Sequence, residues 1–406
     1  MLARLPWRRL EEARCSGIAL LTVEEGLSEP GCPMCRLVRK AEERAVLDVL
    51  RSGWLSMGRV TEEFESEFAR MLGVKYAFAT SSGTAALHLA SLSLGVKPGD
   101  EFIVPSLTFV ASVNAFVYDG AVPIFAEITG ENNLDISPQD IEKRITPGTK
   151  GIVVVHYAGY PVDMESVLGI ARKHNLWVVE DAAHSPLARF SGRFLGTFGD
   201  VAAFSFFPNK NMTTGEGGMV VTNRKDLADR VRLFRSHGMT TLTWERHKGH
   251  AHSYDVVALG RNYRIDELRS ALGLVQLRKL AENNRKRAML TKLYREFLSD
   301  VEGVNVPFIG HPGEPAYHIM PILVPQEKRE QIIDYMKGHG IQTSVHYPPV
   351  HLFTYYREKF GFEEGALPVT ERVALSELTL PLYPEMTEDD VTVVVETLKK
   401  ALTTVC

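Results

Sequence analysis

The sequence has few cysteines and no excess of charge of either sign. Four cysteines among 406 residues are too few for a disulfide framework, which is typical of a reducing compartment, so we expect a cytoplasmic protein. Lysine plus arginine (46) nearly balance aspartate plus glutamate (50), and the formal net charge is -4. Such a balance offers no general attraction to nucleic acid or to an anionic membrane, so we expect neither as a partner.

Long apolar runs and complete sets of metal ligands are also missing. The patch "IALLTV" near the N-terminus is shorter than a signal-peptide core, and no later stretch reaches the length of a membrane span. Cys32 and Cys35 form one CxxC pair, but no second CxxC exists and no histidine precedes His88, whereas a structural zinc site needs four ligands. We therefore expect no export, no membrane span and no metal.

Short apolar runs alternate with helical patterns between residues 75 and 225, which indicates a parallel sheet covered by helices on both faces. The predicted strands are residues 76–80, 101–106, 122–128, 151–157, 176–181, 201–207 and 218–223. Between them lie helix candidates such as "TAALHLASLSLG" and "MESVLGIARKHN". The sequence thus predicts an α/β fold with a mainly parallel seven-stranded sheet.

A long helical pattern spans residues 264–300 and leads into a different succession of elements. The segments "AYHIMPILV", "KREQIIDYMKGHG", "IQTSVHY" and residues 387–402 read as strand, helix, strand and helix, which suggests a smaller α+β domain. We predict a large domain over residues 37–286 and a small domain over 287–406. Residues 1–36 form an N-terminal extension of unclear role.

The segment "TSSGTAALHLA" is a candidate phosphate site. Ser81, Ser82, Gly83 and Thr84 lie between a predicted strand and a predicted helix, where backbone N–H groups and hydroxyls would face an anion at the helix N-terminus. Taken alone, the same residues also read as a simple helix cap and turn.

The segment "LWVVEDAAHS" ends a predicted strand with two acids. Strand alternation sends Glu180 and Asp181 to opposite faces, so they do not form a paired-carboxylate site. A buried carboxylate still needs a partner, because an unpaired buried charge is costly. A pyridinium nitrogen would serve, and a salt bridge to an arginine is the structural alternative.

The segment "FFPNKNMTTGEGGMVVTN" places Lys210 before a glycine-rich turn, and Ser205 lies at the preceding strand end. In a P-loop the lysine follows the glycines and precedes a helix, so the order here excludes that motif. Glycines at this turn would let the chain pass close to a flat ligand. Phe109, after another strand end, could cover an aromatic ring or be an ordinary core residue.

A phosphate cradle, an acid, a hydroxyl with a lysine, and an aromatic lid together match the needs of pyridoxal phosphate (PLP). The segments "SSGTAALHLA", "EDAAHS", "GTFGDVAAFSFFPNKNMTTGEGGMVVTN", "LGRNYRIDELRSALGLVQLRKL" and "VHYPPVH" resemble, in order and spacing, the sugar aminotransferases of the DegT/DnrJ/StrS family. The resemblance covers about residues 37 to 402 and implies the aspartate aminotransferase fold, which is PLP fold type I.

The resemblance implies a role for each site residue. Lys210 matches the lysine that forms the internal aldimine, the Schiff base with PLP. Asp181 matches the acid that pairs with the pyridine nitrogen, and His184 the residue near the cofactor's phenolic oxygen. The remaining cofactor contacts would come from phosphate ligands and a stacking ring: Ser82, Gly83, Thr84, Ser205 and Phe109. His346 and Tyr347 fall where the small domain covers the substrate pocket in the family.

Asn262 matches an asparagine that reaches the partner subunit's phosphate site, so the resemblance implies a homodimer with shared active sites. The implied reaction moves an amino group from glutamate, or glutamine, to a keto sugar, and the family favours a nucleotide-linked one. An inosose is the alternative acceptor, and a regulatory protein that holds PLP without turnover is the alternative from another class. Retention of Lys210, Asp181 and Ser205 argues against the latter.

Several features depart from the family pattern or are not explained by it. Arg261 stands where an aromatic is usual, directly before Asn262, and could alter acceptor choice or be a neutral change. The segment "WERHKGHAHSYD" (244 to 255) reads as a polar loop that could contact sugar; its histidines are His247, His250 and His252. The neighbours of Lys210 are further candidates for acceptor preference: Asn209, Asn211 and Met212.

Overall fold

The computed structural model describes residues 38–241 and 253–404. Cys32 and Cys35 lie outside the described residues, and so do His247, His250 and His252. The expectations for these residues and for the N-terminal extension remain predictions.

The strands follow the apolar runs of the sequence closely. In chain order they are β1 (Tyr76–Thr80), β2 (Glu101–Pro105), β3 (Val122–Ala126), β4 (Ile128–Gly130), β5 (Asn133–Ile136), β6 (Thr149–Val155), β7 (Trp177–Asp181), β8 (Arg189–Phe190), β9 (Arg193–Phe194), β10 (Val201–Ser205), β11 (Gly218–Thr222), β12 (Met320–Leu323) and β13 (Glu377–Leu380). Seven of them form the central sheet, in the order β1-β11-β10-β7-β6-β2-β3.

The central sheet is mainly parallel, as predicted. β10, β7, β6, β2 and β3 pair in parallel, and β11 alone runs against its neighbours β1 and β10. All residues of β11 and nearly all of β6 and β10 are buried, which is the burial expected of strands covered on both faces.

Some of the helices begin or end at residues typical of helix caps. In chain order the helices are α1 (Lys40–Ser52), α2 (Arg59–Leu72), α3 (Gly83–Leu94), α4 (Ala111–Val117), α5 (Pro138–Lys143), α6 (Met164–His174), α7 (Lys225–Arg235), α8 (Glu267–Leu298), α9 (Arg329–Gly338), α10 (Thr354–Phe360), α11 (Pro368–Ser376) and α12 (Glu388–Thr404). Ser82 caps the start of α3, and Asn175, in the left-handed conformation, ends α6.

A second apolar core lies beyond the middle of α8. It includes Leu290 and Tyr294 of that helix, and it joins the antiparallel pair β12 and β13 to α9 and α12. The predicted division of the chain at residue 286 remains a prediction.

The strand predicted for "IQTSVHY" (341 to 347) is wrong. These residues make only an isolated bridge, Ser344 with Thr379, and the partner of β12 is β13. The physical reason is local: Pro348 and Pro349 follow directly and cannot donate hydrogen bonds to a sheet, while Tyr347 lines a cavity at the central sheet.

Within residues 38–241 and 253–404, no helix combines the length and the apolar character needed to cross a membrane. The same ranges contain no group of three or more His, Cys, Asp or Glu residues arranged to hold a metal ion.

Candidate active site

A cavity of about 350 Å³ lies where strands of the central sheet end, at the edge where open α/β sheets bind ligands. It brings together almost all the site residues predicted from the sequence. Those that line it are Ser82, Gly83, Thr84, Phe109, Asp181, His184, Ser205, Lys210, His346 and Tyr347. Asn262 is exposed and does not line the cavity of its own chain.

The start of α3 forms one end of the cavity. Ser82 accepts a hydrogen bond from the N–H of Ala85 at 3.0 Å, so the simple capping interpretation holds for this side chain. The first N–H groups of a helix have no partner within the helix, and those of Gly83 and Thr84 are at the cavity. A Cβ on Gly83 would lie 2.7 Å from the Cβ of Ser205, so only glycine lets the start of α3 approach the end of β10. Together these groups form a cradle suited to an anion.

Asp181 presents a carboxylate to the cavity. It is 5% exposed, and its Oδ2 accepts a hydrogen bond from the Ser112 hydroxyl at 2.6 Å while its Oδ1 accepts from the Ala183 N–H at 3.1 Å. Burial raises the pKa of Asp181, and these two hydrogen bonds oppose that rise. A cationic ligand would offset the remaining energetic cost of burying the Asp181 charge.

Glu180 lies on the other face of β7, as strand alternation predicts. Its carboxylate accepts hydrogen bonds from the N–H groups of Gly196, Phe198 and Gly199, each at 2.7 Å, and its Oε2 lies 3.1 Å from Nε2 of His156. Among the described residues, neither Glu180 nor Asp181 forms a salt bridge with an arginine. The structural alternative for Asp181 therefore does not apply.

Lys210 follows the end of β10 in a short turn, and its N–H donates to the Phe207 carbonyl at 3.0 Å. Loss of solvation lowers the pKa of the Lys210 amine to about 8, although the negative charge of Asp181 opposes this effect. About a tenth of the amine is thus uncharged at pH 7, and the uncharged amine is the form that attacks a carbonyl carbon.

The glycine-rich turn lets the chain return close to the cradle. A Cβ on Gly218 would lie 2.6 Å from the carbonyl oxygen of Ser82, so a side chain there would push β11 away from the start of α3.

His184 and Tyr347 lie next to each other in the cavity wall. Nε2 of His184 lies 3.1 Å from the Tyr347 hydroxyl, although these residues are 163 positions apart in the chain. Burial lowers the pKa of His184 well below its usual value, and the positive charge of Lys210 adds to the effect, so the imidazole is neutral. Phe109 is 55% exposed, and its ring centroid lies 6.0 Å from that of Tyr347.

His346 is held by Glu377 and Thr379 of β13 and by Tyr157. Its N–H donates to Oε2 of Glu377 at 2.7 Å, its Nδ1 lies 2.9 Å from the Thr379 hydroxyl, and its carbonyl accepts from the Tyr157 hydroxyl. Burial lowers the pKa of His346 to about 4 and raises that of Glu377 to about 8. The turn that carries His346 and Tyr347 is therefore anchored from β13.

The sequence does not single out Ser112, and two of the three neighbours of Lys210 that it suggests lie away from the cavity. Ser112 lies in the first turn of α4, and its hydroxyl lies 2.8 Å from that of Thr108, which precedes the helix. Asn209 lines the cavity, but Asn211 and Met212 are fully buried behind it and do not. A direct part in acceptor preference is thus open only to Asn209 among the three.

The chain matches the sequence model of the DegT/DnrJ/EryC1/StrS aminotransferase family over residues 37–399. It is 39% identical to the spore coat polysaccharide biosynthesis protein SpsC of Bacillus subtilis (strain 168), over 89% of this chain and 95% of SpsC. It is similar to the structure of Helicobacter pylori PseC, an aminotransferase involved in the biosynthesis of pseudoaminic acid. That similarity has a TM-score of 0.85 and 31% identity, over 90% of this chain and 97% of PseC.

Two other solved structures bear on the ligands. The putative sugar aminotransferase Spr1654 from Streptococcus pneumoniae, in its PLP form, matches with a TM-score of 0.85 and 27% identity, over 91% of this chain and 97% of that chain. DesI, crystallised in the presence of its TDP-sugar product, matches with a TM-score of 0.80 and 31% identity, over 90% of this chain and 91% of that chain.

Fold and cavity together define a fold type I PLP-dependent transferase. The chain belongs to the DegT/DnrJ/EryC1/StrS family and is a PLP-dependent aminotransferase, which confirms the family, the fold class, the reaction type and the cofactor predicted from the sequence. The residues present fit the cofactor, because an anion cradle, a buried carboxylate and an amine of lowered pKa face one cavity.

Proposed function

We propose that this aminotransferase moves an amino group from glutamate or glutamine to a keto sugar linked to a nucleotide. The observation that carries the proposal is the convergence of Lys210, Asp181 and the Gly83–Ser205 cradle in one cavity of a sugar-aminotransferase family member. The TDP-sugar product of DesI supports the nucleotide link.

Lys210 would hold the cofactor covalently, and Asp181 would pair with its ring nitrogen. When bound, PLP supplies a ring that accepts the electrons of a substrate carbanion. Ser82, Gly83, Thr84 and Ser205 would hold the phosphate through N–H groups and hydroxyls, and Phe109 would cover the ring.

The cavity residues also determine where protons move. The Lys210 amine, with its pKa near 8, can take a proton from a substrate carbon when uncharged and return it when charged, at the same edge of the cavity. The Asp181 carboxylate cannot exchange protons freely with solvent, since it is 5% exposed and accepts a hydrogen bond from Ser112. His184 is neutral and bonded to Tyr347, so it would orient polar atoms rather than carry charge.

Reduction with borohydride tests the position of the covalent link. The PLP-loaded protein should give a reduced adduct on the peptide that contains Lys210, read by mass spectrometry. Lys210→Ala should lose the adduct and the transamination activity, whereas Lys97→Ala, at an exposed lysine outside the cavity, should keep both. An adduct that persists on another lysine of Lys210→Ala would contradict the assignment.

A substrate screen tests the acceptor. With glutamate as donor, keto sugars with and without a nucleotide and free inososes are compared by the amount of 2-oxoglutarate formed. The proposal expects turnover with nucleotide-linked keto sugars. Turnover with inososes alone would replace the proposed acceptor by a keto-cyclitol, and no turnover with any acceptor in a PLP-loaded sample would favour a protein that binds the cofactor without catalysis.

We further propose a homodimer in which Asn262 contacts the phosphate site of the partner subunit. The support is that Asn262 is exposed and stays outside its own cavity, and that exposed apolar side chains precede it in the chain. These side chains are Val256, Val257 and Leu259, the last of them 81% exposed. The cytoplasmic location expected from the cysteine count remains a prediction.

Mixing two inactive variants tests the shared site. In a dimer of Lys210→Ala with Asn262→Ala, one site keeps both Lys210 and the Asn262 of the other chain, so random mixing should restore about a quarter of the wild-type activity. If Asn262 served its own chain, mixing would restore none. Sedimentation of the wild-type protein as a monomer would also contradict the proposal.

A further inference from the structure

Asn211, the residue after Lys210, makes three buried hydrogen bonds through its side chain. Its Nδ2 donates to the Ala316 carbonyl at 2.7 Å and to Oδ1 of Asn284 at 2.8 Å. Its Oδ1 accepts from Nδ1 of His318 at 3.0 Å. Asn211 itself is fully buried, so these contacts are made away from solvent.

The direction of each hydrogen bond is determined by its neighbours. Asn284 donates its own Nδ2 to the Pro186 carbonyl at 2.9 Å, so its Oδ1 faces Asn211 as an acceptor. Asn211 therefore turns its NH₂ group to Asn284 and Ala316, and its carbonyl to His318. His318 must then carry its hydrogen on Nδ1.

The contacts of Asn211 differ in range from those of Lys210. The Lys210 N–H bonds only to Phe207, within the same turn. Asn211 reaches Asn284 on α8 and residues 316 and 318, which lie 105 and 107 positions further along the chain. The side chain of Asn211 thus ties the Lys210 turn to distant parts of the chain by hydrogen bonds.

The same link extends to His184. The ring centroids of His318 and His184 are 4.3 Å apart, and both rings are buried. Loss of solvation lowers the pKa of His318 well below its usual value, so two neutral imidazoles, tilted by 37° to each other, are in contact at the cavity wall. His184 in turn bonds to Tyr347, which lines the cavity.

We propose that Asn211 is a positioning residue, which holds the Lys210 turn in the cavity wall through Ala316, Asn284 and the Nδ1–H of His318. The inference rests on the proposed function, in which Lys210 is the reactive amine. Loss of these hydrogen bonds would let the Lys210 turn move outward and give its amine more water. Water favours the charged form, so the pKa of Lys210 would rise toward its ordinary value.

The pH dependence of Lys210 labelling in the cofactor-free, full-length protein tests this role. Trinitrobenzenesulfonate reacts with uncharged amines, and mass spectrometry of the Lys210 peptide gives the midpoint, expected near 8 in the wild type. Asn211→Leu keeps the approximate size but loses all three hydrogen bonds. We expect its midpoint to rise by about one pH unit, which lowers labelling at pH 8 about five-fold.

Two controls separate positioning from packing. Asn283→Leu replaces another buried asparagine, one whose Nδ2 has no hydrogen-bond partner, and should leave the midpoint unchanged. His318→Leu removes the donor to Asn211 and should raise the midpoint, whereas His318→Asn places an amide nitrogen where Nδ1 was and should restore it. If Asn211→Leu does not fold, the His318 pair still gives the answer.

A folded Asn211→Leu protein with the wild-type midpoint would overturn the inference, and so would equal midpoints for His318→Leu and His318→Asn. Failure of the proposed function has a different signature. In that case wild-type Lys210 forms no borohydride-reducible link with PLP, whatever the labelling of the variants shows.

Discussion

Glu180 and Asp181 are adjacent on β7, and their surroundings differ sharply. Glu180 accepts hydrogen bonds from three backbone N–H groups and contacts His156, and it is fully buried. Asp181 accepts two hydrogen bonds and lines the cavity. A carboxylate with all its acceptors used serves the fold, whereas one that is buried but only partly bonded is available to a ligand.

The largest expected effect comes from Asp181→Asn. The neutral amide cannot supply the charge that the proposed pairing with the cofactor needs, so we expect transamination to fall by about 1,000-fold. The cofactor-free protein should unfold within about 5 °C of the wild type, because the fold does not depend on this charge. Steady-state assays measure the activity, and thermal unfolding measures the stability. Activity of Asp181→Asn within ten-fold of wild type would contradict the functional role of Asp181.

Glu180→Gln should show the opposite pattern. The amide turns donor hydrogens toward N–H groups of residues 196–199, so we expect the free energy of unfolding to fall by about 3 kcal/mol. Activity per folded molecule should stay near that of the wild type. Urea unfolding checks the change, with the exposed Glu63→Gln as a control that should differ by less than about 0.5 kcal/mol.

Ser112→Ala should reduce the activity that depends on Asp181 while leaving the carboxylate in place. The substitution deletes a charge-assisted hydrogen bond of 2.6 Å, and we expect about a ten-fold loss of activity. Ser93→Ala is the matched control, because Ser93 is also a buried helical serine but donates to the Ala90 carbonyl. Equal losses in the two variants would show that Ser112 matters only for packing.

The smallest expected effect is on the titration of Lys210. The Asp181 carboxylate favours the charged amine and so raises the pKa of Lys210, and its removal should lower the midpoint below 8 by less than about one unit. The uncharged amine then appears at lower pH. Labelling of cofactor-free Asp181→Asn across pH checks the sign. In Glu180→Gln the midpoint of Lys210 labelling should equal that of the wild type. An upward shift of this midpoint in Asp181→Asn would contradict the electrostatic account.

The sequence predicted the central sheet well because buried parallel strands are continuous apolar runs. It failed at residues 341–347, where an apolar and β-branched pattern resembles a strand but two prolines and the cavity decide the path. The sequence also suggested Asn211 and Met212 for acceptor preference, but both side chains are buried away from the cavity. The direction of a side chain within a turn depends on what packs around it, which the sequence does not show.

By itself, the sequence determined the seven strands of the central sheet, the exclusion of a P-loop, and the family whose motifs contain Lys210 and Asp181. These depend on residue types at fixed local spacing. Only the tertiary structure decided which groups surround them. Ser112 on Asp181, Tyr347 on His184 and His318 on Asn211 are contacts across 69, 163 and 107 positions of the chain. Local spacing carries no information about such contacts, since they arise when elements distant in the chain pack together.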